Sequence, residues 1–565
     1  MVSSRENFEV QVNKGGRWAT ETVVPKEVEA RALAKKFLAD KKCEGARIVR
    51  NWMRSDGTMD ETEIFAQTRA GADDGPVRIS QIDEVPEKCE TPEEFMGPQG
   101  RNTVNRIFRS YLDKAILTPT ELMHNYKELK RLQDKDTLVP SAVDRVSQLQ
   151  TKDSEQDSKS RSQEIFKSID DISARAKRVE NVKLPKLDGC FSDAIKEIRA
   201  QAGGEDVDYL AMVLLSRDLI NARSWVGKLE FLCKLAVEDS DPHAVELLDG
   251  VIADVLGSAV VQEILGWQPG LGAAICRMFD LADGKFPTEK SEAGESAEIL
   301  NRLFAEKKLP ISRACMLDRA HRQIRSPNPL YRSESGKELE ELKKLVERTM
   351  TPTGFISGSE TAEALTIRYS RQIEQGGAPG RKATVNGLFR MLPDRAQGLV
   401  YLCDLAGSPW GGTATPEIAE LVDYCLSARH LGDFCVRSLP PKEKMLRATL
   451  AHKIAAAAAF PPAVREKICG FIDTMLEAYL VTEQIVEKLD HQDSHLRDRA
   501  VRLVQFCAAG VLPEGKAMNR ARQRILSLLR QPNFDAHFID GFTDPVRAQK
   551  ALRDFHILLV KAGFG

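Results

Sequence analysis

The sequence contains few aromatic residues and no long apolar run. Phe, Trp and Tyr together make up 6% of its 565 residues. The apolar run Ala455–Phe460 is much shorter than the ~20 residues that an α-helix needs to span a bilayer. The N-terminal stretch 1–12 also lacks the basic and apolar segments of a secretory signal. We therefore expect a cytoplasmic protein that does not bind membranes.

Cysteine pairs and net charge are lacking as well. The 11 cysteines occur singly, without a CxxC pair. Most lie inside apolar helical patterns, where thiols behave as small hydrophobic groups in a reducing compartment. Cys425 and Cys435, with His430 between them, are spaced too irregularly for a zinc knuckle. The formal net charge is -2, so no global field attracts the protein to nucleic acid.

The residues that are present favour helices. Apolar residues make up 42% of the chain and charged residues 29%, and its length predicts on the order of three to four domains. From about residue 190 onward, apolar residues recur at helical spacing between short Gly- and Pro-containing breaks. We predict a mainly α fold with a small N-terminal ββαββ module. The α part is expected to be an irregular stack of α-helical hairpins, either a solenoid or a multi-helix bundle.

The N-terminal module is predicted from strand-like alternation on either side of one helix. Its two hairpin turns are Lys14–Gly16 and Ser55–Gly57. Trp18 and Trp52 lie on predicted strands. Large aromatic side chains are usually buried in small sheets, but these two could also form an exposed platform for a partner. Both interpretations stay open, and both residues are candidates for partner binding.

Changes in composition divide the chain into five segments. The predicted segments are a ββαββ module at 1–70, a linker at 71–100, a helical segment with a polar tether at 101–185, a helical domain at 190–350, and a helical domain with repeated hairpins at 351–565.

One helix hairpin, at residues 481–510, organises the C-terminal part of the prediction. Two apolar stripes flank the polar turn 490–494, and neither stripe can be buried by the hairpin alone. Such a unit must stack on its neighbours. The second stripe consists of Leu496, Ala500, Leu503, Val504 and Cys507.

This hairpin resembles a HEAT repeat. The resemblance is carried by an acidic turn followed by an apolar residue, an arginine, an alanine and a leucine. These positions are Asp490, Asp493, Leu496, Arg497, Ala500 and Leu503. Similar patterns surround Val464 and Val546, at uneven spacing, so a regular solenoid and an irregular stack both stay open. The resemblance implies protein–protein interaction as the function.

Motifs that would carry chemistry are incomplete. His491 and His495 have the spacing of metal ligands on a helix, but the adjacent glutamate of a zinc protease is missing, and a solvated turn is the alternative interpretation. The loop 376–384 has the wrong glycine and lysine spacing for a phosphate loop. The loop 408–412 is not a nucleophile elbow. We therefore expect no enzyme activity, no cofactor and no metal site.

Two predicted basic helices offer further partner-binding candidates. One contains Arg520, Arg522 and Arg524, and the other contains Arg313 and Arg322. The arginines of each helix form either a solvated face or a contact for an acidic partner or a phosphate backbone. Neither helix has the interleaved aromatic residues of a single-strand binder.

The function expected from these features is a non-enzymatic scaffold or adaptor that binds a protein partner through a stacked-helix surface. One alternative is an enzyme or ligand sensor with a site between helices. Its residues would be Arg313, His321 and Tyr331, or else His430 and Asp433. Nucleic-acid binding through the basic helices is a further alternative, disfavoured by the net charge.

Overall fold

The fold was obtained from a computed structural model. Two compact units divide the chain, at 1–263 and 264–565, and the finer predicted segment boundaries stay predictions. The structure describes residues 6–14, 17–39, 45–53, 59–68, 80, 82, 84–135, 137–201, 206–288, 293–331, 335–373 and 376–564.

The described residues of unit 1 form a small antiparallel sheet followed by helices, which confirms the predicted fold class. The sheet module contains β1 Glu6–Lys14, β2 Arg17–Val24, α1 Glu27–Ala39, β3 Gly45–Met53 and β4 Met59–Thr68. The helices are α2 Pro92–Met96, α3 Pro98–Ile107, α4 Arg109–Ala115, α5 Pro119–His124, α6 Tyr126–Gln133, α7 Leu138–Thr151, α8 Ser158–Val179, α9 Phe191–Gln201, α10 Val207–Leu219, α11 Trp225–Glu238 and α12 Pro242–Leu256.

The described part of unit 2 is helical apart from one very short hairpin, and α13 Val260–Leu265 spans the division between the units. Its elements are α14 Leu271–Ala282, α15 Gly294–Ala305, α16 Pro310–Arg325, α17 Glu338–Thr349, β5 Met350–Thr351, β6 Gly354–Phe355, α18 Ser359–Ser370, α19 Gly377–Met391, α20 Arg395–Ala406, α21 Pro409–Thr413, α22 Thr415–Leu426, α23 Leu431–Phe434, α24 Pro441–Ala457, α25 Pro462–Thr482, α26 Ile485–Leu489, α27 Leu496–Ala508, α28 Lys516–Leu529, α29 Phe534–Ile539 and α30 Pro545–Lys561.

The sheet has the strand order β2-β1-β3-β4, with every neighbouring pair antiparallel. One face packs on α1 and forms a local core that includes Phe8, Val10 and Ile48. On the other face, Arg47 donates a hydrogen bond of 2.7 Å to Gln11. A polar ladder facing away from the helix is the pattern of a sheet with one buried and one solvated side.

The two tryptophans of the module differ in what can be described. Trp52 lies at the end of β3, pairs with Glu6 on β1, and is 36% exposed. It is therefore exposed rather than part of the sheet's core, and its role in partner binding stays a prediction. Trp18 pairs with Asn13 across the β1–β2 hairpin, but its side chain lies outside the described residues.

The polar stretches between helices take several forms. The predicted linker 71–100 falls partly outside the described residues, and its last part forms α2 and the first turn of α3. The predicted tether at 150–164 ends α7, makes a turn, and begins α8. Arg161, within it, is 1% exposed, so this part of the stretch belongs to the packed helices.

The hairpin predicted at 481–510 forms α26 and α27. Leu503 is fully buried in α27, as expected, whereas Leu496 at the start of α27 is only half-buried. The acidic turn also has a structural role, because the buried Asp490 accepts a hydrogen bond of 2.8 Å from Arg499. The likeness to HEAT repeats stays a prediction.

One feature of unit 2 was not expected from the sequence, which shows no strand pattern after residue 70. Strands β5 and β6, each two residues long, pair to form a hairpin. Gly354 has φ +104, a conformation that glycine adopts without strain. The Thr351 hydroxyl donates a hydrogen bond of 2.7 Å to the Gly354 carbonyl. Elements this short carry too few residues for alternation to be visible.

Among the described residues, none of the helices combines the length and the apolar character needed to cross a membrane.

We predict that the fragment 1–72 folds by itself, because the sheet and α1 share a core of their own. The dispersed amide spectrum of a folded sheet is expected from nuclear magnetic resonance of the fragment, and limited proteolysis of the whole chain should cleave within 71–100. A collapsed amide spectrum would mean that the module depends on the rest of the chain.

Candidate functional site

The short helix α5 is the most polar buried element of unit 1. Thr118 caps it, since the Glu121 amide donates to the Thr118 hydroxyl at 3.1 Å and the Thr118 amide donates to the Glu121 carboxylate at 2.8 Å. This reciprocal pairing is a capping box. All six residues of α5 are nevertheless buried, so the helix brings polar side chains into the core.

Thr120 links α5 to α3 and α12. Its hydroxyl donates to the Asp254 carboxylate at 2.6 Å and accepts from Arg101 at 2.7 Å. Asn105 donates to the Asp254 carbonyl at 2.9 Å. Burial raises the pKa of Asp254, while Arg101 and the hydrogen bonds from Thr120 oppose that rise. We call Arg101, Asn105, Thr120, Glu121, Lys228 and Asp254 the α5 cluster.

Lys228 and Glu121 form the second half of the cluster. Both side chains are 0% exposed, and the Lys228 ammonium donates directly to the Glu121 carboxylate and at 3.0 Å to the Leu219 carbonyl. Burial raises the pKa of Glu121 and lowers the pKa of Lys228, and their mutual attraction opposes both shifts. A buried charge left without its partner costs several kcal/mol, so the pair must be kept together.

Two glycines let the α5 cluster approach α12. A Cβ at Gly250 would lie 2.5 Å from the Arg101 guanidinium, and a Cβ at Gly257 would lie 2.0 Å from the Asn105 amide nitrogen. Both distances are far below normal contact. The absence of side chains at these two positions therefore makes room for the buried polar groups.

The α5 cluster has a structural rather than a chemical arrangement. Its carboxylates are already held by cations and hydroxyls within the fold, and Asp254, Glu121 and Lys228 are buried away from solvent. Within the described ranges, no group of three or more His, Cys, Asp or Glu is placed to hold a metal ion. The arrangement fixes helix positions.

The arginines predicted on α28 make intramolecular pairs. Arg522 donates to Glu514 at 2.6 and 2.8 Å and also to the Ala562 carbonyl. Arg524 pairs with the buried Asp490. Arg520 lies 3.2 Å from Glu487. All three of these arginines therefore have an acidic partner outside α28, and Asp490 is shared with Arg499.

The candidate residues on α16 and their neighbours have separate partners. Arg313 donates to Asp283 at 3.2 Å, and Arg322 pairs with Asp318 at 3.0 Å. The buried His321 lies 2.8 Å from the Thr361 hydroxyl, and Tyr331 lies under the Lys337 ammonium. Because each contact has a different partner, these residues do not share one polar centre.

The remaining histidine candidates lie at exposed turns. His430 is 3.3 Å from Asp433, and its side chain is 63% exposed. His491 pairs with Asp493 at 3.5 Å, whereas the His495 ring accepts from the Arg497 amide at 3.3 Å. The two imidazoles thus have different local roles at the start of α27.

The outer face of α30 was not expected from the sequence. Phe555 and Leu559 are buried on one side of this helix. Val546, Ile557 and Val560, on the opposite side by helical spacing, are 76%, 52% and 63% exposed. The α30 outer face consists of Val546, Lys550, Arg553, Ile557 and Val560. Its signal in the sequence is the shared helical face of Val546, Ile557 and Val560, but Val546 fits the HEAT-like pattern as well.

No protein-family model, no curated protein and no solved structure matches the chain.

Lys228→Met tests the buried pair. The substitution leaves Glu121 charged and unpaired in the core, and we expect it to cost about 3–5 kcal/mol in the free energy of unfolding. The double variant Glu121→Gln/Lys228→Met should recover part of this loss. Chemical denaturation followed by circular dichroism measures both.

The control for this measurement is Lys196→Met. Lys196 pairs with Asp193 at 2.7 Å on the surface, and we expect a change within about 0.5 kcal/mol. Equal losses for the buried and the exposed lysine would contradict the role given to the α5 cluster.

His124 predicts a pH dependence of stability. It is buried on α5, its Nδ1 lies 2.8 Å from the Thr120 carbonyl, and burial, helped by Arg101 and Arg175, lowers the pKa of His124 to about 4. The unfolded chain therefore takes up this proton first as the pH falls. Stability should fall by about 2 kcal/mol between about pH 7.5 and about pH 5 from this group alone.

The measurement is the free energy of unfolding across this pH range for the wild type and for His124→Gln. We expect the variant to lose that part of the slope, while His321, whose pKa burial also lowers to about 4, continues to contribute. Identical slopes in both proteins would show that His124 is not buried in its neutral form.

Proposed function

We propose that the protein is a non-enzymatic cytoplasmic scaffold that binds an acidic amphipathic helix of a partner protein on the α30 outer face. The proposal is carried by one observation, namely that α30 exposes three aliphatic side chains on the side opposite its buried residues. Val546, Ile557 and Val560 expose more than half of their surface, although the buried side of the helix already packs on its neighbours.

The spacing of these exposed residues favours a helical partner. Val546, Lys550, Arg553, Ile557 and Val560 follow one another at intervals of three and four residues, so they form one stripe along α30. A stripe of aliphatic side chains along a helix matches the apolar face of a second helix packed alongside it. Isolated exposed aliphatic residues need no such explanation, but Val546, Ile557 and Val560 share one face of α30 with two cations, and exposed apolar residues bordered by charged ones indicate an interaction surface.

The charges on α30 favour an acidic partner. Lys550 and Arg553 lie within the stripe, Lys561 lies near one end, and Arg547 near the other end pairs with Asp544 at 3.6 Å. Asp554 is the acid among the exposed residues between them. Positive charges beside an apolar row select a helix whose apolar face is flanked by glutamate or aspartate, since complementary charges speed association and exclude partners of the same sign.

The pairing of the other arginines supports a protein partner over nucleic acid. Arg522 and Arg524 are engaged by Glu514 and Asp490, so α28 presents less positive charge than its sequence suggests. Phosphate-backbone binding relies on several cations that displace condensed counterions. A face that combines aliphatic residues with two central cations is better matched to an amphipathic helix.

The test uses two fluorescent helical peptides with the same apolar stripe, one flanked by glutamates and one by lysines. We expect the acidic peptide to bind, and fluorescence anisotropy to show that Val546→Ser/Ile557→Ser/Val560→Ser weakens it by more than about tenfold, since 1.4 kcal/mol corresponds to a factor of ten. Lys550→Glu/Arg553→Glu should reverse the preference between the peptides.

A matched control replaces three exposed aliphatic residues elsewhere in unit 2, and should leave binding unchanged. These residues are Leu339, Leu446 and Val481. Equal binding of both peptides, or binding that survives the serine substitutions on α30, would refute the proposal.

A further inference from the structure

Unit 1 contains an apolar cavity that the proposed scaffold function does not use. The centre of a water-sized sphere can move within a volume of about 100 Å³ inside it. Side chains from α3, α5, α6, α7 and α8 line it, among them Ile107, Leu122, Leu132, Ala142 and Ile165. The space is partly enclosed and lined almost entirely by apolar side chains, which is the usual form of a small-molecule pocket.

The wall at the edge of the cavity is held by a buried arginine. Arg161 is 1% exposed and donates to the Cys89 carbonyl at 2.7 Å and to the Gln150 side chain at 2.8 Å. Gln150 in turn donates to the Glu87 carbonyl at 2.9 Å. These bonds tie the segment 86–89 to α7 and α8, so the chain does not collapse into the space.

The floor of the cavity is fixed by α5. Leu122 and Met123 line the cavity, while Thr120 and Glu121 on the same short helix belong to the α5 cluster. A helix whose polar side chains are locked by buried hydrogen bonds cannot shift to fill a neighbouring void without breaking them. Hydrogen bonds therefore hold the cavity walls in place on two sides, at Arg161 and at α5.

The lining defines the chemistry of a ligand. Nearly all of it is aliphatic or Phe, and its polar members include Glu87, Gln133 and Gln150. Among the described lining residues there is one carboxylate and no cation. A fatty-acid carboxylate would meet Glu87 and find no cation in the lining, and Arg161 at the edge is already paired with Glu164 at 2.8 Å. Water would find few hydrogen-bonding partners.

We propose that this cavity binds a small uncharged apolar molecule, about the size of one aromatic ring. An apolar cavity of roughly this scale, about 150 Å³, is known to stay dry and to bind benzene. Binding is favourable because the ligand supplies van der Waals contacts that the lining side chains of an empty cavity lack. The ligand needs no polar anchor, and a charged group on it is excluded by the lining.

The experiment is a ¹⁹F magnetic resonance titration of the full chain with fluorobenzene, with fluorobenzoate as the charged probe. We expect saturable one-site binding of fluorobenzene and none of fluorobenzoate. Ala142→Leu adds a side chain inside the cavity and should abolish binding. Ala200→Leu makes the same change at an exposed position of α9 and should leave binding unchanged.

Leu132→Ala provides the opposite change, because it enlarges the cavity and should allow fluoronaphthalene to bind in a one-site manner. It keeps the proposal testable if Ala142→Leu fails to fold, and circular dichroism monitors the fold of each variant. Absence of saturable fluorobenzene binding to the wild type would overturn the proposal. So would binding that persists in folded Ala142→Leu, or fluorobenzoate binding equal to that of fluorobenzene.

Discussion

The packing of unit 1 depends on charges that are buried in pairs around α5. Glu121 with Lys228, and Asp254 with Arg101, are removed from water within a helical core. Each charge can remain there only while its partner stays in place, because an unpaired buried charge is strongly destabilising. The positions of α3, α11 and α12 around α5 are therefore coupled to one another. The shape of the apolar cavity beside α5 depends on these helix positions.

Much of the fold could be predicted because it is encoded locally. Helical periodicity and Gly/Pro breaks predicted the helices, and alternation with tight turns predicted the sheet module. The local pattern Thr118–Glu121, a threonine followed three residues later by a glutamate, is typical of a helix start. The burial of this helix start could not be predicted, because its partners are distant in the sequence. Lys228 lies 107 residues after Glu121, and Asp254 lies 134 residues after Thr120. The capping box is visible in four residues, but its partners are set by tertiary structure.

The candidate sites show the same limit. Among the apolar residues of α28, Ile525 and Leu528 are buried as the amphipathic pattern predicts, whereas Leu526 is 37% exposed. The pattern could not show that Asp490 and Glu514 engage Arg524 and Arg522. Conversely, Val546 fits an inward-facing repeat pattern by its sequence, yet it is 76% exposed. A periodic stripe identifies a face of a helix, and only the packing of neighbouring helices decides which face is covered.

The close approach of Gly250 and Gly257 to the α5 cluster has a consequence for mutational tolerance. Alanine is normally the mildest replacement for a helical glycine and often stabilises the helix by up to about 1 kcal/mol. Gly250 is opposed by an arginine held by its own buried partners, and Gly257 by a short amide side chain with little freedom to move away. Substitutions that are beneficial in most helices are therefore excluded at these two positions. Over long divergence, descendants of this chain should keep glycine there for as long as they keep the buried charges.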